Sequence, residues 1–435
     1  MEWWVILIII IGLLLSLFLS ALPVAFAFLF INLLGSVVWM AGASGLRLIV
    51  STIPANIGSF TLVAVPLFIF MGEVLFRTGI AGLMVTALGK WIGGIRGSLA
   101  LVATAAGTLF AMMSGSGMSG VAVLGSTLIP EMKSRGYSNQ MSLGPVLGAG
   151  GLATIIPPSI AAVILATLAN VSVGRLLIAG LLPGFVLAGL YATYILVRAH
   201  LQPHLAPLFV PPHISWGERF KSLAFISPMS LIIFLVLGLI FLGIATPSEA
   251  AATGVTGAFL LALAYRRLTW ETIKKSVMET VIVSTMVFMI FMGSMTFSQI
   301  LAYTGATSAL VALAKGLPVH PIVVVIIMQL ILIVLGCFID TISIMMISVP
   351  IYFPVILALG LDPIWFGILM LVNIEMATIS PPFGLHNFVM KGVVPDASMT
   401  DIILAGIPFF FMGLIVIGLM LVFPSLVTWL PRLMG

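Results

Sequence analysis

Thr154-Ile155-Ile156-Pro157-Pro158 recurs 224 positions later as Thr378-Ile379-Ser380-Pro381-Pro382. Proline lacks an amide hydrogen and its ring collides with the preceding turn, so each pair must break the helix that carries it. Forty-one residues before each pair, apolar sequence is interrupted a second time. The first interruption is Met113-Ser114-Gly115-Ser116-Gly117 and the second is Gly336-Cys337-Phe338-Ile339-Asp340-Thr341. Paired interruptions at corresponding places in two halves of an apolar chain point to the central binding site of a secondary transporter.

The repeat extends along the chain. Pro23 matches Pro247, Phe70-Met71-Gly72 matches Phe291-Met292-Gly293, and Ala179-Gly180 with Pro183 matches Ala405-Gly406 with Pro408, at offsets of 221 to 226 positions. With 62% apolar residues, 7% charged residues and a mean hydropathy of +1.32, the chain is excluded from the ordinary soluble class. Runs such as Trp3 to Leu19, Leu231 to Ile244 and Ile402 to Val422 suit a bilayer core, which takes about 20 apolar residues per helix. One cysteine, Cys337, leaves no internal disulfide framework. The net charge of +5 is carried on short loops and reports membrane topology rather than nucleic-acid binding. Ala21-Leu22-Pro23-Val24-Ala25-Phe26-Ala27 resembles a small-residue cleavage site, but the leader has Glu2 and no Lys or Arg, so it is read as an uncleaved first helix.

Helices are predicted near 3–20, 22–40, 61–79, 140–170, 175–198, 224–244, 247–265, 280–303, 363–390 and 401–424. Segments near 98–130 and 319–357 do not fit as single spans, because each is broken near its middle. Their arms reach only ~20–25 Å at 1.5 Å per residue, short of a core of ~30 Å, so re-entrant hairpins fit better. Each half then has an odd number of crossings, which inserts the second half upside down. The expected fold is all-α: a polytopic inverted-repeat transporter with a first repeat over 1–198, a cytoplasmic connector over 199–223 and a second repeat over 224–435. With the termini outside, 13 Lys and Arg fall on inner loops and 4 on outer ones, a positive-inside bias.

A helix break at membrane depth strands backbone polar groups, so it must be buried or line a polar cavity. Freed carbonyls and hydroxyls suit Na⁺. Two cation sites are expected, one per repeat: Ser114 and Ser116 facing Thr154, and Asp340 and Thr341 facing Thr378 and Ser380. Substrate contacts are expected beside them, from Gly117, Ser119, Pro157 and Ser159 in the first half and Pro381, Gly384, His386 and Asn387 in the second. Asp340 stands out because an acid inside a membrane segment is a functional candidate by default; Na⁺ binding and a proton relay are both open to it. Glu73 is expected to pair with Arg77, and Glu249 to complete a capping box with Thr246. Asn373 and Glu375 either line the cavity, or pack, or form ion pairs. His200 and His204 in the connector read as part of a solvated arm, since Pro203 disturbs a helix there. There is no His-Glu-x-x-His, no phosphate-binding loop and no G-x-S-x-G elbow, so neither an enzyme nor an ATP-driven pump is indicated.

At these motifs the sequence resembles the large membrane subunit of tripartite ATP-independent periplasmic (TRAP) transporters. The resemblance rests on Ser114-Gly115-Ser116, Leu124 to Met132, Arg135-Gly136-Tyr137 and Ile155 to Ile160 in the first half. In the second it rests on Asp340-Thr341, Asn373-Ile374-Glu375, and Ser380-Pro381-Pro382-Phe383-Gly384 with Phe388-Val389. It implies Na⁺-coupled import of a small organic acid into a bacterium across the inner membrane. It implies two partners, a small four-helix membrane subunit and a secreted periplasmic substrate-binding protein. It also implies an elevator motion of hairpins and broken helices against a scaffold. The chain departs from the family pattern at Gly117 and Gly120, where side chains are expected, and at His386-Asn387, where Asn followed by an apolar residue is expected. Rival readings are a stand-alone carboxylate symporter, a proton-coupled version, and a channel or membrane scaffold.

Overall fold

Polar residues mark where the apolar runs begin as helices. Ser138, Ser159, Ser172, Asp340, Asp362 and Ser398 each turn a side-chain oxygen onto amides of the following first turn, which satisfies donors that have no partner inside the helix. Thr246 does the same in a capping box with Glu249, behind Pro247 at the first helical position. The computed structural model describes residues 2–434 except Ala21, Ala41, 43–44, 48–49, 52–53, 55–56, 209–214 and Phe383, and without the side chains of Ile80, Ala81, Ser114 and Phe225.

Among the described residues all regular structure is helical. The first half contains α1 (Trp3–Leu19), α2 (Val24–Trp39), α3 (Ala64–Arg77), α4 (Ile80–Ile92), α5 (Ser98–Ser114), α6 (Gly117–Ser134), α7 (Asn139–Ile155), α8 (Ile160–Leu168) and α9 (Val173–Leu201). The second contains α10 (Trp216–Phe241), α11 (Pro247–Ala264), α12 (Trp270–Tyr303), α13 (Ala306–Gly316), α14 (Pro321–Gly336), α15 (Thr341–Ala358), α16 (Pro363–Ala377), α17 (Leu385–Val393), α18 (Met399–Val422) and α19 (Ser425–Arg432). The ten predicted spans and both predicted hairpins are all matched by helices in this order. Among the described residues, five helical stretches are long and apolar enough to cross a bilayer alone, and up to seven if each bent pair counts as one span.

The short helices α4 and α13 lie outside the predicted spans, and the same device starts both. Thr78 bonds the carbonyls of Val74 and Leu75, Thr304 those of Ile300 and Leu301. Gly79 and Gly305 follow at φ 67° and 75°. A Thr-Gly pair thus closes one helix and swings the chain into the next at corresponding points of the two halves.

Contacts between helices fix their directions. Along α7 and α18, Asn139 bonds Asp401, a Cβ added at Gly144 would lie 2.6 Å from the Ala405 carbonyl, and Gly148 meets the Phe409 ring. Residue numbers rise together, so these helices are parallel. Along α7 and α9, Arg198 bonds Gln140 at 2.6 Å while Gly180 and Gly184 meet Ile155 and Ile156. Here the numbers run oppositely. Repeat mates α9 and α18 are therefore antiparallel, and the repeat is inverted. The mirrored contacts agree: Trp365 on α16 donates to the Met420 carbonyl at 2.9 Å, and Gly413 meets Met376. Both broken spans lie at the centre, with every residue of α7 from Met141 to Ile155 and of α16 from Trp365 to Ala377 buried.

A candidate transport site where two broken spans meet

The first broken span bends by 41° between α7 and α8. Both proline pairs, Pro157-Pro158 and Pro381-Pro382, have cis peptide bonds. Each pair is followed by a nine-residue helix, α8 or α17. Within the first break Ser159 donates to the Thr154 carbonyl at 2.6 Å and accepts from the Ala162 amide. Within the second, the Thr378 carbonyl accepts from the His386 amide at 3.0 Å and the Ile379 carbonyl from Asn387 Nδ2 at 3.2 Å. The Thr154 and Thr378 carbonyls, freed by Pro158 and Pro382, are thus already satisfied locally, as burial in a low-dielectric interior demands.

The two breaks are joined by Glu375. Thr154 donates to one carboxylate oxygen of Glu375, and Thr378 lies 3.3 Å from the other. Thr378 Oγ1 also sits 2.6 Å from the Glu375 carbonyl and 3.0 Å from His386 Nδ1. His386 Nδ1 is 3.6 Å from Glu375 Oε1, and both side chains are buried. Thr154 and Thr378 were expected in separate cation sites; the structure brings them to one carboxylate. Glu375 therefore resolves to a hydrogen-bonded bridge rather than a packing residue.

Hairpin tips rest on these breaks. At the first, between α5 and α6, Ser119 donates to Ser116 at 3.2 Å. A Cβ on Gly115 would lie 3.1 Å from the Pro158 carbonyl, and one on Gly117 2.9 Å from the Gly150 carbonyl. Two hydroxyls therefore sit at a tip that abuts two backbone carbonyls. The side chain of Ser114 lies outside the described residues, as does Phe383. At the second tip, Gly336 touches Ala377, and Cys337 Sγ lies 3.4 Å from Ser380 Oγ. The predicted convergence of Asp340 and Thr341 on Thr378 and Ser380 takes a different form. Asp340 caps α15, accepting from the amides of Ile342 and Ser343 at 3.1 Å each and from the Ser343 hydroxyl. Thr341 is the first residue of that helix and is half-buried. Ser380 donates to the Ala377 carbonyl at 2.7 Å.

Of the remaining candidates, Asn387 is fully buried, and its Oδ1 has no partner among the described residues. Gly384 immediately precedes α17 as its cap residue, Pro157 is buried, and Pro381 is exposed. Asn373 donates to the carbonyl and side chain of Gln329 on α14, at 2.8 and 2.7 Å, tying the second hairpin to the second broken span. Glu73 pairs with Arg77 at 2.8 Å, as its spacing predicts. In the connector His200 bonds the Leu196 carbonyl, and Pro203–Leu205 form a tight 3-10 turn. Sequence reasoning missed the Gly117–His386 contact, in which a Cβ on Gly117 would fall 2.8 Å from the imidazole. Nothing local in either stretch signals it.

Inverted repeats, paired hairpins and two broken spans meeting at a buried polar cluster define a multi-pass membrane transporter. Residues 10–426 match the family model described as "Tripartite ATP-independent periplasmic transporter, DctM component". The chain is 31% identical over 419 residues to the C4-dicarboxylate TRAP transporter large permease protein of Vibrio cholerae, covering 91% of each chain. It is 30% identical over 427 residues to the ectoine TRAP transporter large permease of Halomonas elongata, covering 97% of each. It is also 30% identical to the sialic acid TRAP transporter large permease of Vibrio cholerae, over 96% of this chain and 97% of that one. The crystal structure of the Alcanivorax borkumensis YdaH transporter shares the fold, with a TM-score of 0.64, 17% identity, and coverage of 87% and 88%. The protein belongs to the TRAP transporter family and is a large permease subunit.

Proposed function

We propose that the chain imports a small organic acid by Na⁺-coupled secondary transport, receiving it from a periplasmic binding protein and working beside a small four-helix membrane subunit. It sits in a bacterial inner membrane with both termini outside. One repeat spans 1–198 and the other 224–435, linked by a cytoplasmic connector. The two hairpins and two broken spans move together as an elevator against the remaining helices. The observation that carries this reading is the seating of each hairpin tip on a break, with the breaks bridged through Thr154 and Glu375.

Oxygen donors support the choice of ion. Ser116 and Ser119 at a tip that abuts the carbonyls of Gly150 and Pro158 offer neutral, hard donors, and Asp340, which caps α15, offers one carboxylate at the second tip; hard oxygen ligands favour alkali and alkaline-earth cations over soft metals. Each positive charge moving inward gains ~2.3 kcal/mol per 100 mV of membrane potential. Two Na⁺ with one monoanion therefore leave a net driving charge.

The test is uptake into proteoliposomes holding this chain with its two partners. Ser116→Ala and Asp340→Asn should each weaken the dependence of uptake on the Na⁺ gradient. If neither changes it, the ion assignment fails. Uptake by this chain alone would instead favour a stand-alone symporter.

A further inference from the structure

We propose that the first turns of α10, Trp216 to Ala224, together with Trp91 at the end of α4, form a binding surface for anionic phospholipid headgroups. The proposal concerns the scaffold face and is independent of the transported ion and solute.

The segment is helical from its first residue because Ser215 and Glu218 close a capping box. It then bends by 42° from the rest of α10, Ile226–Phe241, so it leaves the line of the span. Two aromatic rings on it cluster with Trp91 of α4. Trp91 and Phe220 meet edge to face at 5.9 Å, and Trp216 lies 6.3 Å from Phe220. Trp216 and Phe220 are 65% and 60% exposed, far more than packing against the protein would leave them. The Trp91 indole donates to the Arg219 carbonyl at 3.2 Å, which pins α4 to this turn.

Cations lie among the rings. The Arg219 guanidinium stands 5.1 Å from the Trp216 ring centre, Lys221 is exposed, and Lys90 precedes Trp91. Among the described residues none of the three makes an ion pair. The nearby carboxylate, Glu218, already accepts the Ser215 amide in the cap. Among the described residues the surface thus carries three positive charges without an ion-pair partner beside one carboxylate. It sits at the end of a membrane helix just after a polar connector. Indole and phenyl rings at such a boundary sit at headgroup level, and clustered Lys and Arg beside them attract anionic lipid. A neighbouring membrane protein would also cover exposed rings, but it would not by itself account for unpaired cations of one sign.

The experiment reconstitutes the full chain into phosphatidylcholine vesicles containing a minor fraction of brominated phosphatidylglycerol, or of brominated phosphatidylcholine, and reads quenching of tryptophan fluorescence. Stronger quenching by the anionic lipid is expected, and raised salt should remove the difference. The pair Arg219→Gln with Lys221→Gln should equalise the two lipids, and Trp91→Phe with Trp216→Phe should remove the extra quenching while leaving the charges in place. Equal quenching of the unaltered chain overturns the proposal. So does a lipid preference that survives the glutamine pair, or one that soluble glycerol phosphate abolishes. If co-reconstituted small subunit shields the rings from both lipids, the surface is a protein interface and the proposal also fails.

Discussion

Gly117 lies directly against the imidazole of His386, so close that a Cβ there would fall 2.8 Å from both Cε1 and Nε2 and 2.9 Å from the Gly150 carbonyl. The imidazole of His386 occupies the space that a side chain at 117 would need.

Gly117→Ala should therefore destabilise the protein by about 1–3 kcal/mol, the usual cost of overpacking a filled interior. Combining it with His386→Ala should recover part of that loss, because the two nearest obstructing atoms belong to the imidazole. Thermal unfolding of the detergent-solubilised chain and both variants measures it. Additive losses would show that the two residues do not share one space.

The bridge from Thr154 to Glu375 links residues 221 positions apart and both buried. Thr154→Val keeps the shape and removes the donor, leaving a carboxyl oxygen without its partner, at a cost of about 1–3 kcal/mol. With Glu375→Gln, the double variant should be less unstable than the sum of the singles, with a coupling of roughly 0.5–3 kcal/mol. A coupling indistinguishable from zero in the double-mutant cycle would mean the contact does not join the breaks.

Asp340 can be dissected by size and charge. Alanine loses the cap on α15 and should cost about 0.5–2 kcal/mol, whereas asparagine caps nearly as well and should leave stability almost unchanged. Unfolding midpoints for the two variants separate the structural role from any role in ion binding. Should Asp340→Asn unfold as readily as Asp340→Ala, the negative charge itself supports the hairpin.

Gly305 has φ 75° with nothing within 4 Å of an added Cβ, so its cost is purely conformational. Gly305→Ala should destabilise by about 1–2 kcal/mol. Gly89, inside α4 and equally unobstructed, serves as the contrast: alanine there should stabilise by about 0.5–1 kcal/mol. Matching losses at both positions would remove the positive-φ argument for the Thr-Gly turn.

Much of the architecture is readable in the chain. The proline pairs give the broken spans and the polar interruptions give the hairpin tips, because both depend on local backbone chemistry and on the fixed thickness of a bilayer. The helices α4 and α13 are legible in principle from Thr78-Gly79 and Thr304-Gly305, a further repeated pair. They are short, amphipathic and outside the length expected of a crossing, so an apolar-run criterion overlooks them. The site is less legible. Thr154, Thr378 and Glu375 each carry ordinary signals alone, and no spacing in one dimension states that they meet.

By itself the sequence determined that the chain is membrane-embedded and doubled, and where each copy must break, since a missing amide hydrogen or an apolar run too short to span acts within a few residues. Only the tertiary structure decided which polar groups share a partner. It turned Asp340 onto its own helix, brought both threonines to Glu375 and set His386 under Gly117. Those outcomes depend on how antiparallel helices distant in sequence pack together, and burial then makes an unpartnered polar group costly, so most such groups pair with a neighbour.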